Sequence, residues 1–182
     1  MNDLLLLASL LDGPKHGYAL KKRVGLLLGQ AALHNNIVYP LLKRFVEDGW
    51  VSRRAAAGER GQTREVYSLT RAGKQVLLER IGELSEKDAA SADALRLRVG
   101  MFSVLAPEKR LPILQSREAF LARRIERLDA VIKNLPLDPW LKEVVSFLHS
   151  QVQAERGWLK RLEELAKKAG DAESLKKTRR TK

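Results

Sequence analysis

The 182-residue sequence predicts a mainly α-helical protein with one small β-hairpin, and two observations support this fold class. Three segments with helical spacing of apolar residues precede two short strand-like segments, 50–54 and 63–69, which a Gly-containing connection joins. Further along, a leucine recurs every seven residues from Leu114 to Leu135, which indicates a long helix that packs along one stripe. Three helices followed by a hairpin is the element order of a winged helix-turn-helix, and we expect a helical dimerisation domain after it.

The three N-terminal helices are bounded by residues with known effects on helix ends. The apolar segment 2–11 predicts a buried helix that stops at a Gly-Pro pair, and a second helix is expected over about 17–28. Asn35 or Asn36 is a natural N-cap for the third helix, because a short polar side chain can accept from the first free amides. Gly49 then suits the left-handed conformation that often follows a helix end.

The hairpin is followed by a fourth helix and, later, by two long ones. Thr70 is placed to cap the periodic segment 71–87. Pro136 and Pro139 are expected to end the leucine-repeat helix, and a last helix begins near Trp140. We therefore predict a winged helix-turn-helix domain over residues 1–88, a helical dimerisation domain over 89–166, and a basic, disordered tail over 167–182.

The last helix is predicted to form the interface between two copies of the chain. Its apolar residues follow one side, which a monomer of this size does not bury easily. Glu155 lies on that side where an apolar residue would be expected, so the stripe is imperfect. The predicted dimerisation residues are Leu141, Val145, Leu148, Val152, Leu159 and Leu162.

The third helix carries an unusual exposed face of amides, a phenol and cations. Asn35, Asn36 and Tyr39 belong to its start, and Lys43 and Arg44 follow one turn later. Asn can pair with adenine, Lys and Arg reach guanine or phosphate, and a Tyr hydroxyl donates to phosphate. Each residue alone could cap, pack or be solvated, but together, on the third helix of this element order, they favour a duplex DNA groove.

Two further segments are expected to hold the DNA backbone. The second helix of such a fold crosses the backbone, and the wing lies along it. Two alternatives to DNA contact remain: His16 could be a helix cap, and the wing could simply be solvated. The candidate contacts outside the third helix are Lys15, His16, Tyr18 and Lys22 at the second helix, and Arg60, Gln62 and Arg64 in the wing.

Three strings of the sequence, GPKHGYALKKRV, YPLLKRFVEDGWV and REVYSLTRAGKQVL, resemble the PadR family of bacterial transcriptional regulators over about residues 3–85. The last two helices, with LRLRVGMFSVLAPEKRLPIL before them, resemble more loosely the longer C-terminal domain of one PadR subgroup. The resemblance implies a homodimer that binds operator DNA, usually represses transcription, and is often released by a small molecule such as a phenolic acid or drug. Some relatives hold planar ligands against tryptophan, although packing is the simpler interpretation of Trp50, Trp140 and Trp158 here.

Composition limits the other classes of function. The three histidines, His16, His34 and His149, lie in separate elements and lack the spacing of metal ligands. The sequence also has no phosphate-binding loop and no nucleophile motif. It therefore predicts no enzyme, metal or cofactor. The absence of cysteine and of a long apolar run suits a cytoplasmic protein without membrane contact. The net charge of +12 favours a polyanionic partner. A winged helix used for protein contact or RNA binding is the remaining alternative.

Overall fold

The computed structural model describes residues 2–20, 34–57 and 63–180, with side chains described for 2–20, 34–57 and 64–170. The chain forms two compact units. The winged-helix unit comprises Met1–Glu83 with Arg96–Val104, and the helical unit comprises Leu84–Leu95 with Leu105–Lys182. Helices dominate, and one small antiparallel sheet accompanies them, which confirms the predicted fold class. The predicted division at residue 88 falls within a short helix and remains a prediction.

The winged-helix unit contains the elements in the predicted order, with one strand added. Its elements are α1 (Asn2–Ala8), β1 (Lys15–His16), α2 (helical over the described residues 17–20), α3 (Asn35–Glu47), β2 (Val51–Ala57), β3 (Thr63–Leu69) and α4 (Arg71–Ile81). The strands follow the order β1-β3-β2 and both pairs are antiparallel. α1 packs against α4, and α3 packs against β2. The hairpin therefore extends from a helical core.

The added strand corrects our assignment of Lys15 and His16 to the second helix. Both residues pair with β3, Lys15 opposite Tyr67 and His16 opposite Val66. Gly13 adopts a φ of 110°, a conformation that side chains other than glycine rarely tolerate, and it turns the chain before these residues. The edge of β3 then supplies hydrogen-bond partners that two isolated residues would otherwise lack. The helix starts only at Gly17.

The start of α3 also differs from the prediction, whereas its end agrees. His34 is the N-cap, in an extended conformation and without a side-chain capping bond, so neither Asn35 nor Asn36 is the cap. The His34 carbonyl accepts from the amides of Ile37 and Val38 instead. Both Asn side chains consequently lie exposed in the first turn. Gly49 has a φ of 73°, as expected after the helix end.

Thr70 and Gly73 join the sheet to α4. The Thr70 hydroxyl accepts from the Gly73 amide at 3.0 Å and lies 3.0 Å from the Trp50 carbonyl oxygen, which confirms the predicted cap. A Cβ atom at residue 73 would lie 2.0 Å from that same Trp50 oxygen, so only glycine fits there. This contact explains why the sequence Leu-Thr-x-x-Gly at residues 69–73 ends in a glycine. α4 ends at Ile81, earlier than predicted, because Gly82 follows it as the C-cap.

The helical unit is built around two long helices. It contains α5 (Glu86–Ala89), α7 (Pro107–Asn134) and α8 (Pro139–Arg180), while α6 (Ala92–Val99) spans the division between the units. α7 and α8 pack against each other. The Asp138 carboxylate accepts from the amides of Trp140 and Leu141 at 2.9 and 3.2 Å, and so fixes the start of α8.

The last helix continues through most of the segment that we expected to be a disordered tail. α8 extends to Arg180 without a break at Gly170. Once a helix has formed, each added residue costs little, and the segment is rich in Lys and Arg, which are good helix formers. The disorder predicted from residue 167 therefore remains a prediction, although the backbone is helical up to residue 180.

Candidate DNA-binding surface

The exposed face of α3 holds all five polar residues that the sequence assigned to it. The side chains of Asn35, Asn36, Tyr39, Lys43 and Arg44 are exposed. On the opposite face, α3 buries three apolar side chains, those of Val38, Leu42 and Phe45. On this face, the described side chains form one ion pair, a long one from Lys43 to Glu47 at 3.9 Å, and both groups remain well hydrated. The two cations of α3 are therefore available to a ligand.

Tyr39 lies across the beginning of α2. A Cβ atom built on Gly17 would be 3.0 Å from Cε1 and 3.2 Å from the hydroxyl oxygen of Tyr39. The phenol ring thus rests on bare backbone that only a glycine exposes. Tyr39 is nevertheless 47% exposed, so its hydroxyl is held by α2 and still reaches solvent. This contact links α2, the helix that crosses the DNA backbone in such folds, to α3, the helix that enters the major groove.

A cavity of about 550 Å³ opens beside this contact. It collects predicted DNA-binding residues from three separate segments of the chain: His16 and Tyr18 near α2, Tyr39 on α3, and Arg64 on β3. The remaining lining residues are Gly17, Ala19, Glu65 and Tyr67. An imidazole, two exposed phenols and a guanidinium are all groups that donate hydrogen bonds to phosphate oxygens. The cavity therefore combines donors suited to a nucleic-acid backbone.

One wall of the cavity is fixed by Glu65. Its carboxylate accepts from the Tyr67 hydroxyl at 2.7 Å and pairs with the Arg53 guanidinium at 3.1 Å. Its backbone carbonyl lies 3.3 Å from Nδ1 of His16. Burial, followed by the hydrogen bond and the charge of Glu65, raises the pKa of Tyr67 to about 12. Tyr67 therefore stays a neutral donor at physiological pH and orders this wall.

The other predicted contacts lie apart from the cavity or outside the described residues. Lys15 is half-buried, and its ammonium group lies 3.4 Å from the Gly13 carbonyl oxygen. Lys22, Arg60 and Gln62 lie outside the described residues. Sequence reasoning did not identify the cavity residues Gly17, Glu65 and Tyr67. The alternation along β3 could have suggested the last two, but β1, which brings them beside α2, was not predicted.

Part of the predicted dimerisation stripe packs within the chain, and its role at an interface remains a prediction. Val145, Val152 and Leu159 are buried within the chain, in a helix that packs on α7, so they already have partners. Leu148 and Leu162 are half-buried, and Leu141 is 45% exposed. Six exposed apolar side chains cluster in sequence around the α7–α8 connection. They are Ile132, Leu135, Trp140, Leu141, Val144 and Phe147, and we call them the apolar tip.

Within residues 2–20, 34–57 and 63–180, no group of three or more His, Asp or Glu side chains could hold a metal ion. No described helix has the length and apolar character needed to cross a membrane.

Comparisons with known proteins assign the family. Residues 6–79 match the model of the transcriptional regulator PadR-like family. A candidate transcriptional regulator from Thermoplasma acidophilum is 38% identical, over 42% of this chain and 71% of its own, with a TM-score of 0.38. A PadR family transcriptional regulator from Eggerthella lenta is 30% identical, over 43% of this chain and 67% of its own, with a TM-score of 0.39.

One solved structure is similar along most of the chain. PadR of Bacillus subtilis, crystallised with operator DNA, is 18% identical over 91% of this chain and 98% of its own, with a TM-score of 0.45. No curated protein matches this chain. The family model covers residues 6–79, so this N-terminal part of the chain belongs to the PadR-like family of transcriptional regulators.

Proposed function

We propose that the protein binds a specific operator in double-stranded DNA as a homodimer and represses transcription in the cytoplasm. The observation that carries this proposal is the convergence of His16, Tyr18, Tyr39 and Arg64 on one cavity beside α3. These residues come from three segments of the chain, and the element order of a winged helix-turn-helix had assigned all three segments to DNA. Family membership supports the same role.

In this proposal α3 reads base edges while the cavity holds the backbone. The exposed Asn35 and Asn36 amides at the start of α3 can pair with adenine, and Lys43 or Arg44 can reach guanine or phosphate. The Tyr39 hydroxyl and the Arg64 guanidinium donate to backbone oxygens. In a two-fold dimer the two α3 helices enter successive major grooves, about 34 Å apart.

The apolar tip supports the homodimer. Trp140, Val144 and Phe147 follow one another at helical spacing on α8, and their side chains are 83%, 52% and 60% exposed. Leu135 at the end of α7 is also exposed. Large apolar groups that cluster at the surface commonly mark a protein interface. A second copy that docks its own tip here would cover the same residues on both chains, as a two-fold dimer requires.

A planar small-molecule effector remains part of the proposal, with Trp140 as the residue that supports it. Trp50 packs against Phe45 with ring centres 5.6 Å apart and lies under the Arg80 guanidinium at 4.7 Å, so its faces are occupied. Trp158 is half-buried. Trp140 offers an open indole face on which a flat ligand could stack. A ligand there would compete with the second copy for the apolar tip.

Salt-dependent DNA binding by matched variants tests the proposed function. We expect the double variant Lys43→Ala/Arg44→Ala to bind duplex DNA more weakly than the wild type, with a shallower salt dependence, because each lost phosphate contact lowers the slope of log K against log salt by about 0.9. The double variant Arg71→Ala/Lys74→Ala removes the same charge from the exposed surface of α4 and should bind like the wild type.

If the wild type and both double variants bind duplex DNA with equal affinity, α3 does not recognise DNA. Absence of any duplex binding at low salt would instead favour the alternative, a winged helix that contacts protein or RNA rather than duplex DNA.

A further inference from the structure

The strand register divides the side chains of the three-stranded sheet between two different faces. Directly paired residues point to the same side, and neighbours along a strand point to opposite sides. Among the residues with described side chains, the inner face, as we call it, carries Lys15, Val51, Arg53, Ala55, Ala57, Glu65, Tyr67 and Leu69, and Val51 and Tyr67 are buried. The outer face carries His16 on β1, Arg64, Val66 and Ser68 on β3, and Ser52, Arg54 and Ala56 on β2, and Val66 is buried there.

The two faces differ in how their charges are compensated. On the inner face, Arg53 pairs with Glu65 at 3.1 Å, so cation and carboxylate cancel. On the outer face, Arg54 and Arg64 are both exposed, and no acidic side chain in the described part of the chain forms an ion pair with either. The residues assigned to the outer face include no acid at all. The positive charge of the hairpin is therefore concentrated on its outer side.

The outer-face groups also lie close together. His16 and Arg54 are both paired with Val66, one from each neighbouring strand, so they flank it in a single row across the sheet. Arg64 lies two residues along β3, paired with Ala56, which makes it a diagonal neighbour of Arg54 at a Cβ distance of about 7 Å. Exposed guanidinium groups bind phosphate oxygens in a bidentate manner.

We propose that the outer face of the sheet binds the phosphate backbone of the operator, and that Arg54 makes a contact beyond those predicted from the sequence. This inference rests on the proposed function. His16 and Arg64 belong both to the outer face and to the cavity that includes Tyr39 of α3. The outer face is thus continuous with the surface assigned to DNA, so a backbone that enters the cavity continues over Arg54.

Two adjacent arginines provide a matched test, because Arg53 and Arg54 are neighbours in β2 but point to opposite faces. The variants Arg54→Gln and Arg53→Gln change the net charge equally. We expect Arg54→Gln to lower the slope of log K against log salt by about one unit, the effect of one lost phosphate contact. Arg53→Gln should leave the slope unchanged. Thermal denaturation of both variants verifies that the hairpin still folds.

The outcomes separate this inference from the proposed function. If the wild type binds the operator with a steep salt dependence and Arg54→Gln has the same slope, the outer face is not a phosphate surface, although the proposed function survives. If Arg54→Gln and Arg53→Gln lower the slope of log K against log salt equally, only the net charge matters, and the inference is also overturned. If the wild type does not bind duplex DNA, both proposals are wrong.

Discussion

Arg117 and Glu155 form a bidentate pair that joins α7 to α8. Nε and Nη2 of Arg117 donate to the two carboxylate oxygens of Glu155 at 2.9 and 2.7 Å. Nη1 of Arg117 donates to the carbonyl of Ala89 at the end of α5, so one side chain connects three helices of the helical unit. Arg117 is only 2% exposed. This pair explains why an acid interrupts the apolar stripe of α8, which the sequence alone left unexplained.

The first prediction concerns this buried pair. Glu155→Ala should lower the free energy of unfolding by about 3 kcal/mol, because it leaves the charge of Arg117 buried without a partner. The double variant Arg117→Met/Glu155→Leu should be destabilised less than Glu155→Ala, since apolar replacement removes both charges together. Urea denaturation of the three proteins measures the difference. A double variant less stable than the single one would contradict our account of the pair.

The second prediction concerns alkaline pH. The raised pKa of Tyr67, about 12 against a usual value of 10.0, means that the unfolded chain loses this proton before the folded one does. In that window the unfolded state binds fewer protons, so the stability supplied by Tyr67 is fully present below pH 10 and is lost as the pH rises towards 12. Stability measured across this window should fall less steeply in Tyr67→Phe than in the wild type. Parallel curves for the two proteins would show that Tyr67 is not perturbed.

The third prediction concerns the contact between Gly17 and Tyr39. Gly17→Ala should weaken DNA binding about fivefold, the equivalent of one hydrogen bond of about 1 kcal/mol, because the new methyl group displaces the phenol ring. In a Tyr39→Ala background the same substitution should have no further effect, since no ring remains to be displaced. Gly157→Ala, where the nearest atom to a new Cβ lies at 4.0 Å, provides the control. If the losses of DNA affinity from Gly17→Ala and Tyr39→Ala add in the double variant, Gly17 acts independently of Tyr39.

The fourth prediction concerns the apolar tip. Trp140→Ser combined with Phe147→Ser should convert the dimer into a monomer while α7 and α8 remain folded, because Val145 and Val152 still pack within the chain. Sedimentation or light scattering gives the mass, and circular dichroism reports the helices. Leu165→Ser, at an equally exposed apolar residue farther along α8, should leave the dimer intact. A folded double variant that is still dimeric would place the interface elsewhere.

The sequence predicted those features that depend on local chemistry. The hairpin, the Thr70 cap and the end of α3 at Gly49 follow from turn and capping residues within a few positions of each feature. The exposed face of α3 followed from its helical period. These signals need no knowledge of distant parts of the chain.

Features that depend on distant contacts could not be predicted in the same way. Strand β1 has two residues and exists because the edge of β3, some fifty positions away, pairs with it. An apolar stripe on α8 shows that something covers it, but does not distinguish α7 from a second copy, so the burial of Val145 and Val152 within the chain could not be predicted. The Arg117–Glu155 pair likewise depends on the register between two helices.

The central claim, specific recognition of DNA, is tested most directly by a fluorescence-anisotropy titration with two duplexes of equal length. One is the sequence upstream of the reading frame that encodes this protein, and the other is random. We predict tight, salt-sensitive binding that prefers the upstream duplex. If the protein shows no preference there, and selection from random sequences enriches no duplex either, the claim of specific recognition is contradicted.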